Sequence, residues 1–149
     1  MPHTEQLPDL AAMAAFGGRI ARLLRPGDVV ALSGGLGAGK TTLARAVIET
    51  LGHEGEVPSP TFTILETYPA PPLSLAVVHA DFYRLQNAHD LEELGLDEYR
   101  EDAVLLAEWP EMVGGFAHEA SCLSIRLETA EEGRMAIVTP GKDWQERWQ

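Results

Sequence analysis

The sequence predicts an α/β fold, a mixed and largely parallel sheet flanked by helices, and three observations carry that prediction. Short apolar runs bounded by turn residues stand at 29–32 and 103–107, as expected of strands buried on both faces. Apolar residues at helical spacing precede and follow the first run. Between that run and the second helical segment lies Gly34-Gly35-Leu36-Gly37-Ala38-Gly39-Lys40-Thr41, a complete phosphate-cradling loop in its required strand–loop–helix context, so the fold class narrows to a P-loop NTPase domain.

Each element follows in order. Residues 10–24 carry Leu10, Met13, Ile20 and Leu24 on one helical face with Gly17, and Asp9 is placed to cap the helix. Pro26-Gly27-Asp28 ends it, and Val29, Val30, Ala31 and Leu32 form the buried strand. After the loop, Leu43, Ala46, Val47 and Leu51 set a helix over 41–51 that Gly52 stops. The Pro-bracketed stretch 57–60 is neither helix nor central strand. Residues 61–68 and 73–79 are β-rich and separated by a proline turn at 69–72, which predicts an antiparallel hairpin. Acidic residues 89–100, with Leu91, Leu94 and Leu96, predict one or two short helices broken at Gly95. The run 103–107 ends at Glu108-Trp109-Pro110, and alternation at Leu123, Ile125 and Leu127, a turn at 131–133 and the run 135–138 predict two further strands.

The chain of 149 residues fits one domain, with a motif-bearing core at about 8–139 and a segment 140–149 of open role. Trp144 and Trp148 in that segment either pack on the domain as a short helix or present aromatics to a partner. Cys122 is the only cysteine, no apolar stretch approaches membrane-spanning length, and the start lacks the pattern of a signal peptide, so the expected address is the cytoplasm, with no membrane role. A net charge of −12 argues against strong direct nucleic-acid binding, which needs clustered Lys and Arg. Residues 81–112 hold ten Asp and Glu against two Arg, a solvated face or a surface for a basic partner. Only two lysines exist, and one is Lys40 in the loop.

Glycines serve in such a loop because phosphate oxygens must meet several backbone N–H groups at once, which a Cβ would obstruct. The backbone of Gly35, Leu36, Gly37, Ala38 and Gly39 is expected to wrap the phosphates at a helix N-terminus, where the dipole favours an anion. Lys40 would reach the β- and γ-phosphates, the Thr41 hydroxyl would ligate Mg2+, and Thr42 would assist at the α-phosphate. The chemistry also needs a strand-end acid for the metal. Glu108 is the first choice because its strand is uninterrupted, and Asp81 is the second, for the outer shell or the attacking water. Thr61 and Thr63 follow a Pro-bracketed loop where switch proteins sense the γ-phosphate, or else they serve only strand propensity. His79 and His89 lack ligand partners at zinc spacing. Trp109, beside Glu108, is expected near the nucleotide. Asn87 is the only asparagine, so the Asn-Lys-x-Asp guanine reader cannot be built and ATP/ADP is expected over GTP.

Four ordered motifs then stand together: Gly34-x-Leu36-Gly37-Ala38-Gly39-Lys40-Thr41-Thr42, Ser59-Pro60-Thr61-Phe62-Thr63, His79-x-Asp81-x-Tyr83-Arg84-Leu85 and Glu108-Trp109-Pro110. In this order and spacing the chain resembles the TsaE (YjeE) family of bacterial tRNA threonylcarbamoyladenosine biosynthesis. The resemblance implies a Mg2+-dependent ATPase of low intrinsic turnover. It would act with TsaD and TsaB to support N6-threonylcarbamoyladenosine formation at position 37 of ANN-decoding tRNAs, touching tRNA only through those partners. It also implies that Lys40, Thr41 and Thr42 form the phosphate and magnesium site, that Glu108 is the metal acid, and that Leu7, Pro8, Gly133 and Arg134 enclose the base and ribose. Gly35 departs from the family pattern, which carries Asp there. Two other readings share the loop: a small-metabolite kinase, which needs an Arg-rich lid where only Arg84 and Arg100 occur between 81 and 114, and a nucleotide-switch module that hydrolyses only to reset.

Overall fold

The computed structural model describes residues 2–60, 64–85 and 88–148. The strands are β1 (His3–Leu7), β2 (Val29–Ser33), β3 (Leu65–Tyr68), β4 (Ala76–Asp81), β5 (Ala103–Glu108), β6 (Cys122–Thr129) and β7 (Arg134–Pro140), and they form one sheet in the order β1-β7-β6-β2-β5-β4-β3. β6, β2, β5 and β4 run parallel at its centre, while β7 and β1 on one side and β3 on the other pair antiparallel. The mixed sheet with a hairpin after the loop's helix is thus as the sequence predicts. β2 and β5 are the two apolar runs; they pair at the centre of the sheet, and with a core layer on each face both are nearly inaccessible to water.

Helices α1 (Leu10–Leu23) and α2 (Lys40–Thr50) cover one face. The Asp9 side chain accepts the Ala12 N–H at 2.8 Å and so caps α1. The helices approach closely because Gly17 has no side chain: a Cβ there would lie 2.5 Å from the Ala46 Cβ. Val30, Leu32, Val77, Val104 and Leu106 project from the sheet into this layer and meet Phe16, Ile20, Leu43 and Val47. The other face is closed by α4 (Leu96–Arg100) and a 3-10 turn at Pro110–Val113, with Val29, Ala31, Leu105, Phe82, Leu96 and Phe116 in its core. Gly95, at φ 69°, breaks α4 from α3 (Ala88–Leu94) where the sequence places the break.

Three points differ from the sequence reading. Leu10 is 77% exposed and borders a surface cleft; Phe16 and Ala21 complete the core stripe instead. β1 is absent from the sequence reading, since its five residues are mostly polar and only pairing with β7 makes them a strand. Of the first hairpin strand, 61–63 lie outside the described residues and β3 covers Leu65–Tyr68; the second begins later than expected, at Ala76, and runs on to Asp81. Of the two readings of the C-terminal aromatics, packing on the domain is the one found: Trp144 and Trp148 are buried, Trp148 meets Phe16 edge-on, and Trp144 Nε1 donates to the Ser121 carbonyl at 2.8 Å. Arg147 fixes this segment with a two-pronged ion pair to buried Asp28 at 2.7 and 3.0 Å.

Candidate functional site

The glycine-rich loop lies at the carboxyl end of β2, beside the carboxyl ends of β5 and β4, because the order β2-β5-β4 sets three loop exits along one rim. This is where open α/β sheets bind ligands. Gly34 takes φ +135°, and a Cβ on it would strike the Leu127 carbonyl. Gly37 and Gly39 also sit at positive φ, so the path is open only to glycine at these points. α2 begins at Lys40 with no side-chain cap, which leaves its first-turn N–H groups for an anion.

Lys40 is buried and its Nζ donates to the carbonyls of Gly34 and Gly35, both at 2.8 Å, beneath the Trp109 ring at 4.3 Å. Burial pushes its ammonium below the ordinary lysine value, and the nearby carboxylates of Glu108, Glu111 and Asp81 oppose that shift. Trp109 itself takes φ 57°, a conformation uncommon for a bulky residue, and stacks obliquely on Tyr83 at 4.8 Å. Thr41 Oγ1 donates to the Glu108 carboxylate, 2.8 Å from Oε1 and 3.1 Å from Oε2. Asp81 pairs with Glu108 in the β4–β5 register, is buried, and accepts the Tyr83 N–H at 2.9 Å.

A cleft of 270 Å³ is lined by Leu36, Gly37, Ala38, Gly39, Lys40, Thr41, Thr42, Asp81, Glu108 and Trp109. The residues expected at the phosphates and metal are therefore brought together. A second cleft of 290 Å³ shares Gly37, Gly39 and Thr42 with it and is walled by Leu7, Met13, Gly133 and Arg134. Pro8 does not line it; its carbonyl lies where a Cβ on Gly133 would fall, so it backs that wall. Arg134 ties the wall to the loop, donating to Ala38 O at 3.1 Å and to Gly37 O at 2.9 Å. Gly35 has open space where a Cβ would stand. Thr61 and Thr63 lie outside the described residues.

The residue that sequence reasoning missed is His79. It is wholly buried, with Nε2 2.6 Å from Glu108 Oε2. Its signal in the sequence is its place two residues before Asp81, on the same face of β4.

A strand-to-helix phosphate loop on a doubly covered sheet, with strand-end acids beside it, defines a P-loop domain. The family model described as "Threonylcarbamoyl adenosine biosynthesis protein TsaE" matches residues 7–137. The chain belongs to the TsaE family, and its role lies in tRNA threonylcarbamoyladenosine biosynthesis. It is 44% identical to the tRNA threonylcarbamoyladenosine biosynthesis protein TsaE of Streptomyces coelicolor, over 89% of this chain and 93% of that one. It is 38% identical to the Haemophilus influenzae protein of the same name, over 88% and 85%. The crystal structure of Bacillus subtilis YdiB superposes with a TM-score of 0.74 at 29% identity, covering 99% of this chain and 89% of the other.

Proposed function

We propose that the chain is a single Mg2+-dependent ATPase domain that acts in the cytoplasm with TsaD and TsaB to support N6-threonylcarbamoyladenosine formation at position 37 of ANN-decoding tRNAs, meeting tRNA only through those partners. The observation that carries the ATPase reading is the convergence of Lys40, Thr41, Glu108 and Asp81 on one cleft at the start of α2. The loop backbone and Lys40 bind the phosphates, and Lys40 exchanges two carbonyl partners for phosphate oxygens as it does so. The second cleft takes the nucleoside. The donors near Thr41 are hydroxyl and carboxylate oxygens, which suit a hard cation. Among the described residues no group of three or more His, Cys, Asp or Glu could hold a metal alone, which fits an ion that shares its ligands with nucleotide phosphates. Thr41 and Glu108 would hold it, with Asp81 beyond them orienting water. Bound magnesium supplies neutralisation of charge on the phosphates.

The test is ATP turnover with and without TsaB and TsaD. Turnover is expected to be low alone and to change with the partners; unchanged turnover together with no complex by gel filtration overturns the partner assignment. Lys40→Ala and Thr41→Ala are expected to lose Mg-ATP binding. Glu108→Ala should lower turnover by about 10²–10³ while ADP still binds. Intact turnover in Glu108→Ala, with activity abolished in Asp81→Ala, would reverse the two acids.

A further inference from the structure

We infer that His79 is a positioning residue that fixes the Glu108 carboxylate toward Thr41, an inference that rests on reading Glu108 as the metal acid. In the parallel pairing of β4 with β5, His79 stands opposite Leu106 and Asp81 opposite Glu108. Side chains two apart along a strand share a face, and Val77, Val104 and Leu106 all enter the core layer under α1 and α2. His79, Asp81 and Glu108 therefore point to the α2 side, with His79 one step deeper than the two acids. From there its ring reaches up to the carboxylate.

Among the described residues two side chains donate to the Glu108 carboxylate: Thr41 Oγ1 reaches both oxygens, nearer to Oε1, and His79 reaches Oε2 alone. Thr41 Oγ1 is 2.8 Å from Oε1, and His79 Nε2 is 2.6 Å from Oε2, with both His79 and Glu108 side chains essentially shut off from water. A carboxylate only accepts, so Nε2 carries the donated proton. The other ring nitrogen, Nδ1, is buried and has no hydrogen-bond partner among the described residues. The imidazole is thus committed to Glu108 alone, whereas the Thr41 hydroxyl also has the metal to serve. When Thr41 turns its oxygen to an incoming ion, His79 is the donor that keeps the carboxylate from rotating. Outer partners of metal-binding groups act in this way, setting the orientation of the ligand they touch.

The experiment compares ADP binding with Mg2+ and with EDTA, alongside turnover, in the full chain. His79→Leu removes the donor at similar volume, His79→Asn keeps an amide too short to reach Glu108, and His79→Gln places an amide donor near the Nε2 position. In the Leu and Asn variants the metal-free affinity is expected within about twofold of wild type. The gain on adding Mg2+ and the turnover should each fall by about 10–100-fold, and His79→Gln should recover most of both. Asn carries the comparison if the Leu variant does not fold. Equal weakening in EDTA and Mg2+, or Asn and Gln variants that behave alike, overturns the positioning role. Glu108→Gln in the same assay separates the two layers. If it keeps the Mg2+ gain, the metal reading of Glu108 falls and the inference with it; if it loses the gain while His79→Asn keeps it, only the role of His79 falls.

Discussion

Gly34 and Gly35 stand side by side in the loop under opposite constraints. The first has a positive φ and a carbonyl where its side chain would be, while the second has neither. Gly34→Ala is expected to cost at least about 1–3 kcal/mol in thermal or urea unfolding, from backbone strain alone, and to abolish nucleotide binding. Gly35→Asp, which restores the residue the family pattern carries, should fold with stability within about 0.5 kcal/mol of wild type. The departure at Gly35 is therefore a matter of charge at the rim of the cleft and not of backbone path. Legibility in the sequence divides along similar lines. The gathering of Lys40, Thr41, Asp81 and Glu108 on one cleft was readable because each is tied to a local pattern, the loop or the end of an apolar run. The contact of His79 with Glu108 was not, because it forms across two strands, and a single histidine in an apolar stretch looks like any core residue.

Elements were legible where their own residues decide them. β2 and β5 are apolar throughout, and α1 and α2 carry the 3.6-residue repeat, so their places in the core follow from sequence. β1 is decided by its partner β7, and the C-terminal turn by the surface it lands on. That turn carries a testable energy. Asp28 accepts two N–H groups of Arg147 and the backbone N–H of Arg25, and Arg147 also donates to the Leu23 carbonyl and lies over Trp144 at 4.0 Å. Removing one charge of a buried pair leaves the other uncompensated, so Arg147→Ala should destabilise the protein by about 3–5 kcal/mol in urea unfolding. The Asp28→Ala, Arg147→Ala double variant should cost less than the two single changes added together. A full sum would mean that the pair contributes no coupling.

Across the whole molecule, the net charge of −12 is carried unevenly. Glu92, Glu93, Asp97 and Glu98 on α3 and α4 are exposed, so this acid is water-facing, away from the face that α1 and α2 cover. Among the described residues no helix is long and apolar enough to cross a membrane. The phosphate loop follows β2, yet β2 is walled on both sides by strands that come much later in the chain, β5 and β6. A ribosome adding roughly 5–20 residues per second leaves the finished loop sequence waiting for several seconds before either wall exists. A fragment ending at residue 115 has β5 but lacks β6 and the Leu127 carbonyl that shapes Gly34, and it should show neither cooperative unfolding by circular dichroism nor ADP binding. Under the proposed function, nucleotide would therefore reward a nascent chain only once β6 has emerged, stabilising the completed sheet and giving no help to its earliest folding.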